Sequence, residues 1–283
     1  MKIFVTGGGG FIGRSFARQA VEAGHQLALL ARRGRTVPAG QVVIEGDLRS
    51  DLRSVVREFA PEACVHLAWT TTPGKYLTSE ENAVLEQDTL IFARRLYESG
   101  VPHFIAAGTC LEYESAETAL TEDAPASRDP VPYTAAKLNV RRHLEENFPS
   151  SFWSWLRVFY PYGPGDNPGR LPGQLFRSRQ TGIPVELKRP FDVVDYIHVD
   201  DVAAAFLLAV ERKLAGDYNV AGGTPVVLGE FASRLAQTRG CPAPVFAPDG
   251  ERSSRFADIA KLRSCGWAPS REMNTSLEEF FPS

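Results

Sequence analysis

The stretch Lys2-Ile-Phe-Val-Thr-Gly-Gly-Gly-Gly-Phe-Ile-Gly13 decides the fold of this chain. Its apolar residues 3–5 predict a short buried strand, and a helical pattern begins directly after the four glycines. Three of the glycines follow the spacing Gly7-x-x-Gly10-x-x-Gly13. A strand that runs through such glycines into a helix is typical of the phosphate-binding turn of a dinucleotide fold.

Each glycine of this turn has a separate physical role. Gly7 lets the chain turn sharply, Gly10 lets backbone amides approach a pyrophosphate, and Gly13 lets the helix pack tightly on the strand. The unpaired N–H groups at the start of the helix, at Phe11 and Ile12, then face the phosphates together with the positive dipole end. The alternative at this point is a tight strand–helix turn that binds nothing.

Composition narrows the classes of partner. The 283 residues are 43% hydrophobic and 23% charged, which is ordinary for a soluble globular enzyme, and the net charge is −3. Because no basic run carries interleaved aromatic residues, nucleic acid and anionic membranes are not the expected partners. The sequence shows no signal peptide and no apolar run near the ~20 residues of a membrane span, so we expect a cytoplasmic protein.

The cysteines predict neither a disulfide framework nor a metal site. No pair has the spacing of a zinc site, and no C-x-x-C motif occurs, which favours reduced intracellular thiols. The four cysteines are Cys64, Cys110, Cys241 and Cys265.

Strand and helix patterns alternate along the first half of the chain. The predicted strands are 3–5, 27–30, 41–44, 63–68, 103–107 and 153–158, separated by helices that begin at Phe11 or span 51–60, 79–99 and 133–148. Such alternation predicts an α/β fold with a doubly wound parallel sheet and right-handed crossovers. Ligands of these sheets bind beyond the carboxyl ends of the strands.

The second half of the chain predicts a smaller lobe. A dinucleotide-binding domain is expected over 1–160, and about 193–221 is expected to return to it. The discontinuous C-terminal substrate lobe then comprises 161–192 and 222–283. The elements predicted in this half of the chain are a strand over 196–199 and a helix over 201–212 in the returning segment, and helices over 228–239, 256–264 and 275–281 in the lobe.

Two pairs of residues are candidates for the adenosine end of a dinucleotide. Arg32 and Arg33 follow the second strand, where an NAD site usually has an acid for the ribose 2′-hydroxyl. Two guanidiniums can instead clamp a 2′-phosphate, so we expect NADP(H) in preference to NAD(H); a solvated basic loop is the alternative. Asp47 and Leu48 follow the third strand and can bracket an adenine, or Asp47 can cap the next helix.

A second set of residues predicts carbonyl–alcohol chemistry. Tyr133 and Lys137 are four residues apart and therefore share one face of a helix. A nearby ammonium lowers the pKa of a tyrosine, which makes Tyr133 a candidate general acid and base. Thr109, just past the fifth strand, can donate to the substrate oxygen. The alternatives are an ordinary amphipathic helix turn and a threonine that only ends a strand.

Taken together, the sequence resembles the extended short-chain dehydrogenase/reductase family, in its nucleotide-sugar epimerase, dehydratase and reductase branch. The likeness covers nearly the whole chain in order. The segments that carry it are Thr6–Gly13, Gly46-Asp47-Leu48, Val65–Ala68, Thr109, Tyr133-x-x-x-Lys137, Leu156-Arg157-Val158, Tyr162–Gly165, Asp195–Ala203 and Cys265–Pro269.

The resemblance implies a Rossmann sheet whose C-terminal lobe holds a nucleotide-diphospho-sugar. In that family Tyr133 would exchange a proton with the sugar, Lys137 would bind the nicotinamide ribose, and Thr109 would orient the substrate. Leu67 and Ala68 would line the cofactor cleft. Family members commonly form a homodimer through the helices that match 79–99 and 133–148.

Departures from the family pattern narrow the expected reaction. Cys110 and Leu111 stand at the substrate position where dehydratases of this branch have an Asp-Glu pair, so the groups that remove water are missing. GDP-fucose synthases carry a cysteine and a histidine for epimerisation beside a carbonyl. Leu111 and Arg170 stand at those places, which disfavours that chemistry.

The substrate lobe departs from the pattern as well. Val194 replaces an arginine that contacts substrate, and Tyr160, expected near the nicotinamide, replaces a frequent substrate-binding asparagine. Arg170, Arg252 and Arg255 are the remaining loop cations that can meet a diphosphate, although all three can equally be solvated surface residues.

These observations favour NADPH-dependent reduction of a 4-keto group on a nucleotide-activated 6-deoxy sugar, with Tyr133 as the general acid. A 4-epimerase that keeps its NAD bound is one alternative. A reductase of a non-sugar carbonyl is a second, and a non-catalytic protein that senses NADP is a third.

Overall fold

The computed structural model describes residues 1–34, 41–247 and 252–271. Its strands are β1 (Lys2–Thr6), β2 (Gln26–Ala31), β3 (Val42–Glu45), β4 (Ala63–His66), β5 (Phe104–Thr109), β6 (Trp153–Val158), β7 (Pro161–Tyr162), β8 (Glu186–Leu187), β9 (Val193–Val194), β10 (Ile197–His198), β11 (Gly216–Val220), β12 (Val226–Val227), β13 (Val245–Phe246) and β14 (Ser254–Arg255). Its helices are α1 (Phe11–Glu22), α2 (Arg53–Phe59), α3 (Glu81–Glu98), α4 (Pro132–Asn147), α5 (Leu171–Thr181), α6 (Val199–Arg212), α7 (Leu228–Arg239) and α8 (Ala260–Ser264).

Seven of the strands form one parallel sheet in the order β11-β6-β5-β4-β1-β2-β3. This confirms the predicted doubly wound fold. The direction of strand addition reverses between β1 and β4, so the ends of these strands form the switch point at which such sheets bind ligands. The glycine turn follows β1 at this point, and residues 67–69 follow β4.

Helices cover both faces of the sheet, which explains why its central strands are buried along their whole length. α1 and α6 pack together over one face, whereas α2, α3 and α4 cover the other. Every residue of β4 and of β6 is buried. Strands that are buried on both faces show continuous apolar runs rather than alternation, which is the pattern read from the sequence.

The segments around α5 and α7 form a small second cluster beside the sheet, whereas α8 packs against β11 and belongs to the main core. α5 packs against α7, and a separate apolar core that includes Tyr162, Leu175 and Phe231 lies between them. Short strands join this cluster in three small sheets: β10 with β7, β13 with β8, and β9 with β12 and β14. No helix in the described ranges is both long enough and apolar enough to cross a membrane.

Several predicted boundaries are wrong because side chains cap the elements. The helix predicted over 51–60 begins only at Arg53, whose N–H bonds the carboxylate of Asp51. The predicted strand 196–199 is limited to Ile197–His198, and α6 begins at Val199 because His198 Nδ1 accepts the N–H of Asp200. The helix predicted over 256–264 is limited to α8, and the helix predicted over 275–281 lies outside the described residues.

The tight approach of α1 to the glycine turn makes Gly13 a testable position. A Cβ at Gly13 would lie 2.1 Å from Gly7 O, so Gly13→Ala should lower the free energy of unfolding by ~3 kcal/mol. Gly24→Ala is the matched control, since Gly24 has φ +82° but open space around it, and should lose about 1 kcal/mol. Equal losses in urea unfolding of the two variants would contradict the packing argument.

Candidate active site

The glycine turn has the shape of a phosphate cradle. Gly7 has φ +73°, and a Cβ on it would lie 2.6 Å from the carbonyl carbon of Leu67, so only glycine lets the two loops meet. Gly10 precedes α1, binds Gly7 O through its N–H at 2.9 Å, and brings no side-chain cap to the helix. The first amides of α1 therefore have no side-chain cap, which leaves them available to a pyrophosphate.

A buried histidine ties the two strands of the switch point together. His66 Nδ1 lies 2.9 Å from Thr6 Oγ1, and Nε2 lies 3.2 Å from Thr89 Oγ1. Thr6 Oγ1 also accepts the N–H of Ala68 at 3.3 Å. Burial lowers the pKa of His66 to about 3, with a smaller effect of the Lys137 charge in the same direction. The neutral imidazole therefore connects β4 to β1 and to α3 by hydrogen bonds, a role that no local sequence pattern indicated.

The predicted adenosine residues lie at the carboxyl ends of β2 and β3. Arg32 and Arg33 are both exposed, and Arg33 Nε lies 3.6 Å from Glu45 Oε1 with 94% of its side chain exposed. Asp47 accepts the N–H groups of residues 49 and 50 and so caps a local turn before α2 rather than the helix itself. Leu48 is 7% exposed and belongs to the core.

The structure brings the three predicted catalytic side chains together. Thr109 is the last residue of β5, and Tyr133 and Lys137 lie on the first turns of α4. Thr109 lies close enough to the Tyr133 phenol to lower its pKa against the larger opposing effect of burial, and all three residues are more than nine-tenths buried. They meet beside residues 67–69, at the same sheet edge as the glycine turn.

The prediction that Lys137 acidifies Tyr133 is wrong for this structure. Burial raises the pKa of Tyr133, and the neighbouring Tyr76 phenol and Glu112 carboxylate raise it further. Lys137 Nζ instead donates to Ala107 O at 2.8 Å and lies 3.8 Å from the ring centroid of Trp69. Burial lowers the pKa of Lys137 to about 7 against the opposing effect of Glu112. Tyr133 is therefore held in its protonated form.

An aromatic loop that the sequence analysis missed covers these residues. The ring of Tyr76 packs edge-on against that of Tyr133, with 4.9 Å between centroids, and Trp69 packs against the same ring at 6.2 Å. Asn82 holds the loop by accepting Trp69 Nε1–H at 2.9 Å and donating to Tyr76 O at 2.7 Å. Tyr133 N–H also donates to Leu77 O at 3.1 Å. Because these contacts cross the fold, no spacing within the loop could reveal them.

A buried thiol directly follows Thr109, at a position that the sequence predicts to contact substrate. Cys110 is 3% exposed, and the neighbouring Tyr160 and Thr109 side chains lower the pKa of its thiol against the larger opposing effect of burial. Burial raises the pKa of Cys110 to about 12 and also raises that of Tyr160. Leu111 is partly buried against the main core. The thiol of Cys110 is therefore held in its neutral form.

The three candidate loop cations occupy different positions. Arg170 donates to Pro161 O at 3.0 Å, and its positive charge acts on the phenols of Tyr76 and Tyr196. Arg255 donates to the backbone carbonyl of residue 113 at 3.1 Å, and its charge acts on Cys110. Both guanidiniums therefore lie near the cleft. Arg252 is half-exposed, 3.4 Å from the carboxylate of residue 117, and fits the alternative of a surface residue.

Among the residues that the structure describes, no group of three or more His, Cys, Asp or Glu side chains could hold a metal ion.

A parallel sheet with a glycine cradle at its switch point and a Tyr–Lys pair beside it defines an NAD-dependent enzyme of the short-chain dehydrogenase/reductase type. A family model described as "NAD dependent epimerase/dehydratase family" matches residues 3–221. The chain therefore belongs to this family, which confirms the resemblance read from its motifs and removes the alternative of a non-catalytic protein.

The individual relatives share less than a third of their residues with this chain, but each match covers most of both chains. UDP-glucose 4-epimerase of Streptomyces lividans is 29% identical over 95% of this chain and 92% of its own. 2-alkyl-3-oxoalkanoate reductase of Stenotrophomonas maltophilia is also 29% identical, over 86% of this chain and 77% of its own. The crystal structure of UDP-glucose 4-epimerase from Thermus thermophilus in complex with NAD is 25% identical, covers 100% of both chains and superposes with a TM-score of 0.83.

His66 should make stability depend on pH. Its pKa is about 3 in the folded chain and 6.5 in the unfolded one, so only the unfolded state binds the proton between these values. Each pH unit below 6.5 should therefore remove about 1.4 kcal/mol of unfolding free energy until pH approaches 3. Urea unfolding at pH 7 and pH 5 should show this loss in the wild type and less of it in His66→Gln. An identical pH dependence in both proteins would contradict the buried neutral imidazole.

Proposed function

We propose that this enzyme interconverts a secondary alcohol and a ketone at C4 of a nucleotide-activated sugar, and that its overall reaction is 4-epimerisation. The observation that carries the proposal is that Thr109 at the end of β5 and Tyr133 and Lys137 on α4 are buried together, at the sheet edge that holds the glycine cradle. The similarity to UDP-glucose 4-epimerases over nearly the whole chain supports the choice of reaction.

Different residues around the glycine turn would bind different parts of the cofactor. Gly7, Gly10 and the first amides of α1 would hold the pyrophosphate of NAD, with residues 67 and 68 along the cleft. When bound, NAD supplies the acceptor and later the donor of a hydride. Lys137 would bind the nicotinamide ribose, since its bond to the Ala107 carbonyl uses only one of the three N–H donors of the ammonium.

Proton transfer falls to the two hydroxyls. Thr109 would donate to the substrate oxygen and hold it within reach of Tyr133. Because Tyr133 is protonated in this structure, it is ready to donate to a ketone as the alcohol forms. The reverse step, in which Tyr133 removes a proton from the alcohol, requires the phenolate and therefore the ammonium form of Lys137 nearby.

Cations at the cleft can neutralise the diphosphate of such a substrate. Arg170 and Arg255 both have charges that reach buried groups of the site, whereas Arg252 lies outside it. A homodimer through α3 and α4 is also proposed. These helices pack against each other, and α3 exposes apolar side chains such as Val84 and Ile91.

Removing the hydroxyl of Tyr133 tests the chemistry. Tyr133→Phe should lower the rate of UDP-sugar 4-epimerisation by about 10²–10⁴-fold, because the step loses its general acid and base. NAD binding should stay within about threefold of wild type, since the ring remains. Tyr97→Phe, at an exposed tyrosine of α3, is the matched control and should keep full activity. A fully active Tyr133→Phe enzyme would exclude the mechanism.

Reduction of a 4-keto sugar by NADPH is the second candidate, and the two arginines after β2 favour it. Arg32 and Arg33 replace the acid that usually binds the ribose of NAD, and both are exposed. A reductase consumes one NADPH for each product, whereas an epimerase turns over on cofactor that it retains. A reductase of a non-sugar carbonyl would also consume NADPH but would ignore every nucleotide-sugar.

Cofactor preference can be tested directly at these arginines. The double variant Arg32→Ala/Arg33→Ala should bind NADPH about 10–100-fold more weakly, because a 2′-phosphate loses its charged donors, and should bind NADH unchanged. Arg53→Ala is the control, since Arg53 forms an exposed surface pair with Asp51. Equal binding of NADPH and NADH by the wild type would remove the NADP preference and leave the NAD-dependent epimerase.

A further inference from the structure

A buried carboxylate lies directly behind the candidate catalytic residues. Glu112 is 1% exposed and follows Thr109 by three residues, in a short 3₁₀ turn at the end of β5. Its Oε1 accepts the N–H of Thr109 at 2.8 Å, while the Thr109 side chain accepts an N–H of the same turn. This reciprocal capping box sets the direction of the Thr109 hydroxyl.

The Glu112 carboxylate can lie against β5 because residue 108 of that strand is glycine and places no side chain between them. A Cβ at Gly108 would lie 2.2 Å from Trp155 Nε1 and 2.7 Å from Glu112 Oε1. Trp155 Nε1 donates to both carboxylate oxygens, and its ring centroid lies 5.8 Å from Lys137 Nζ. Lys137 binds the carbonyl of the residue before Gly108, and Glu112 binds the N–H of the residue after it.

We propose that Glu112 is a positioning residue of this active site, whose buried carboxylate fixes the Thr109 hydroxyl and supplies the negative charge that keeps Lys137 an ammonium. The inference rests on the proposed roles of Thr109, Tyr133 and Lys137.

The charges around Glu112 come from several elements of the fold. Its strongest partner is Arg157 on β6, whose Nε donates to Oε2 at 2.7 Å, and Arg157 also pairs with Asp217 on β11 at 3.1 Å. The groups on which the Glu112 charge acts are Cys110, Tyr113, Tyr133, Lys137 and Arg157. Glu122 adds a further acid near Tyr113.

Lys137 itself has few charged neighbours. His66 on β4 faces it and is neutral above about pH 3, because burial lowers the histidine pKa. Of the two acids that pair with Arg157, only Glu112 acts on Lys137, where it opposes the lowering of the lysine pKa by burial. Asp217 therefore provides an internal control for Glu112. Both carboxylates pair with the Arg157 guanidinium, but only the Glu112 charge acts on the Lys137 ammonium.

The titration of Lys137 tests the charge without any activity measurement. The chain has six lysines, so NMR of protein labelled with [¹³Cε]lysine resolves few signals, and Lys137→Arg assigns the one that titrates near pH 7. Glu112→Gln should lower its midpoint by about one pH unit, since removing a negative charge favours the neutral amine. Asp217→Asn should leave the midpoint within a few tenths of a unit. An unmoved midpoint in a folded Glu112→Gln protein overturns the proposal.

Activity gives the second readout. Loss of the carboxylate lowers the pKa of both Lys137 and Tyr133, so the whole pH profile of kcat/KM should move to lower pH in Glu112→Gln. A residue that only stabilised the fold would reduce the rate without moving the profile, which is the outcome that contradicts the charge role.

A shorter carboxylate at position 112 separates the positioning of Thr109 from the effect of the charge on Lys137. It also provides a test if the Glu112→Gln protein fails to fold. Glu112→Asp keeps the charge but withdraws it from the Thr109 N–H, so kcat should fall about tenfold while the Lys137 midpoint stays in place. A Glu112→Asp protein with wild-type kcat would overturn the positioning role. Failure of the proposed function is distinguishable, because an active Tyr133→Phe enzyme would overturn the roles of the site whatever Glu112 does.

Discussion

The contact that the rest of the molecule depends on is the approach of bare backbone to bare backbone at the glycine turn. Gly13 allows α1 to touch Gly7 O, and Gly7 in turn allows β1 to touch the backbone that follows β4. No side chain can be accommodated at either place, so the switch point of the sheet closes only with glycine. The same absence of side chains leaves the helix amides open to a phosphate, and packing and binding therefore arise from one constraint.

Features encoded by local spacing were predictable. The turn, the alternation of strands and helices, and the shared helix face of Tyr133 and Lys137 follow from periods of two to four residues. The loop that carries Trp69 and Tyr76 was not predictable, because its contacts with α4 join residues about 60 positions apart. Glu112 was missed for the same reason: its main partner, Arg157, lies on the neighbouring strand.

Burial explains why the pairwise argument about the tyrosine was wrong. Spacing places an ammonium four residues from Tyr133, and Coulomb attraction alone would stabilise the phenolate. In the folded chain both groups are more than nine-tenths buried, and desolvation disfavours the charged form of each. The phenol stays neutral and the lysine titrates near pH 7, so charges from outside the pair, above all Glu112, decide how much ammonium is present.

The proposed epimerase and reductase reactions share the catalytic hydroxyls, so the proposed distinction between them rests on the charge at the outer end of the cofactor cleft. Arg33 is 94% exposed and lies 3.6 Å from Glu45, and an exposed pair of this kind contributes little to the free energy of unfolding. The Arg33 guanidinium can therefore leave Glu45 and bind a doubly charged 2′-phosphate at little energetic cost. NAD offers no such charge at this position, and so the proposed preference for NADP would come from the arginines after β2, because Thr109 and Tyr133 have the same roles in both proposed reactions.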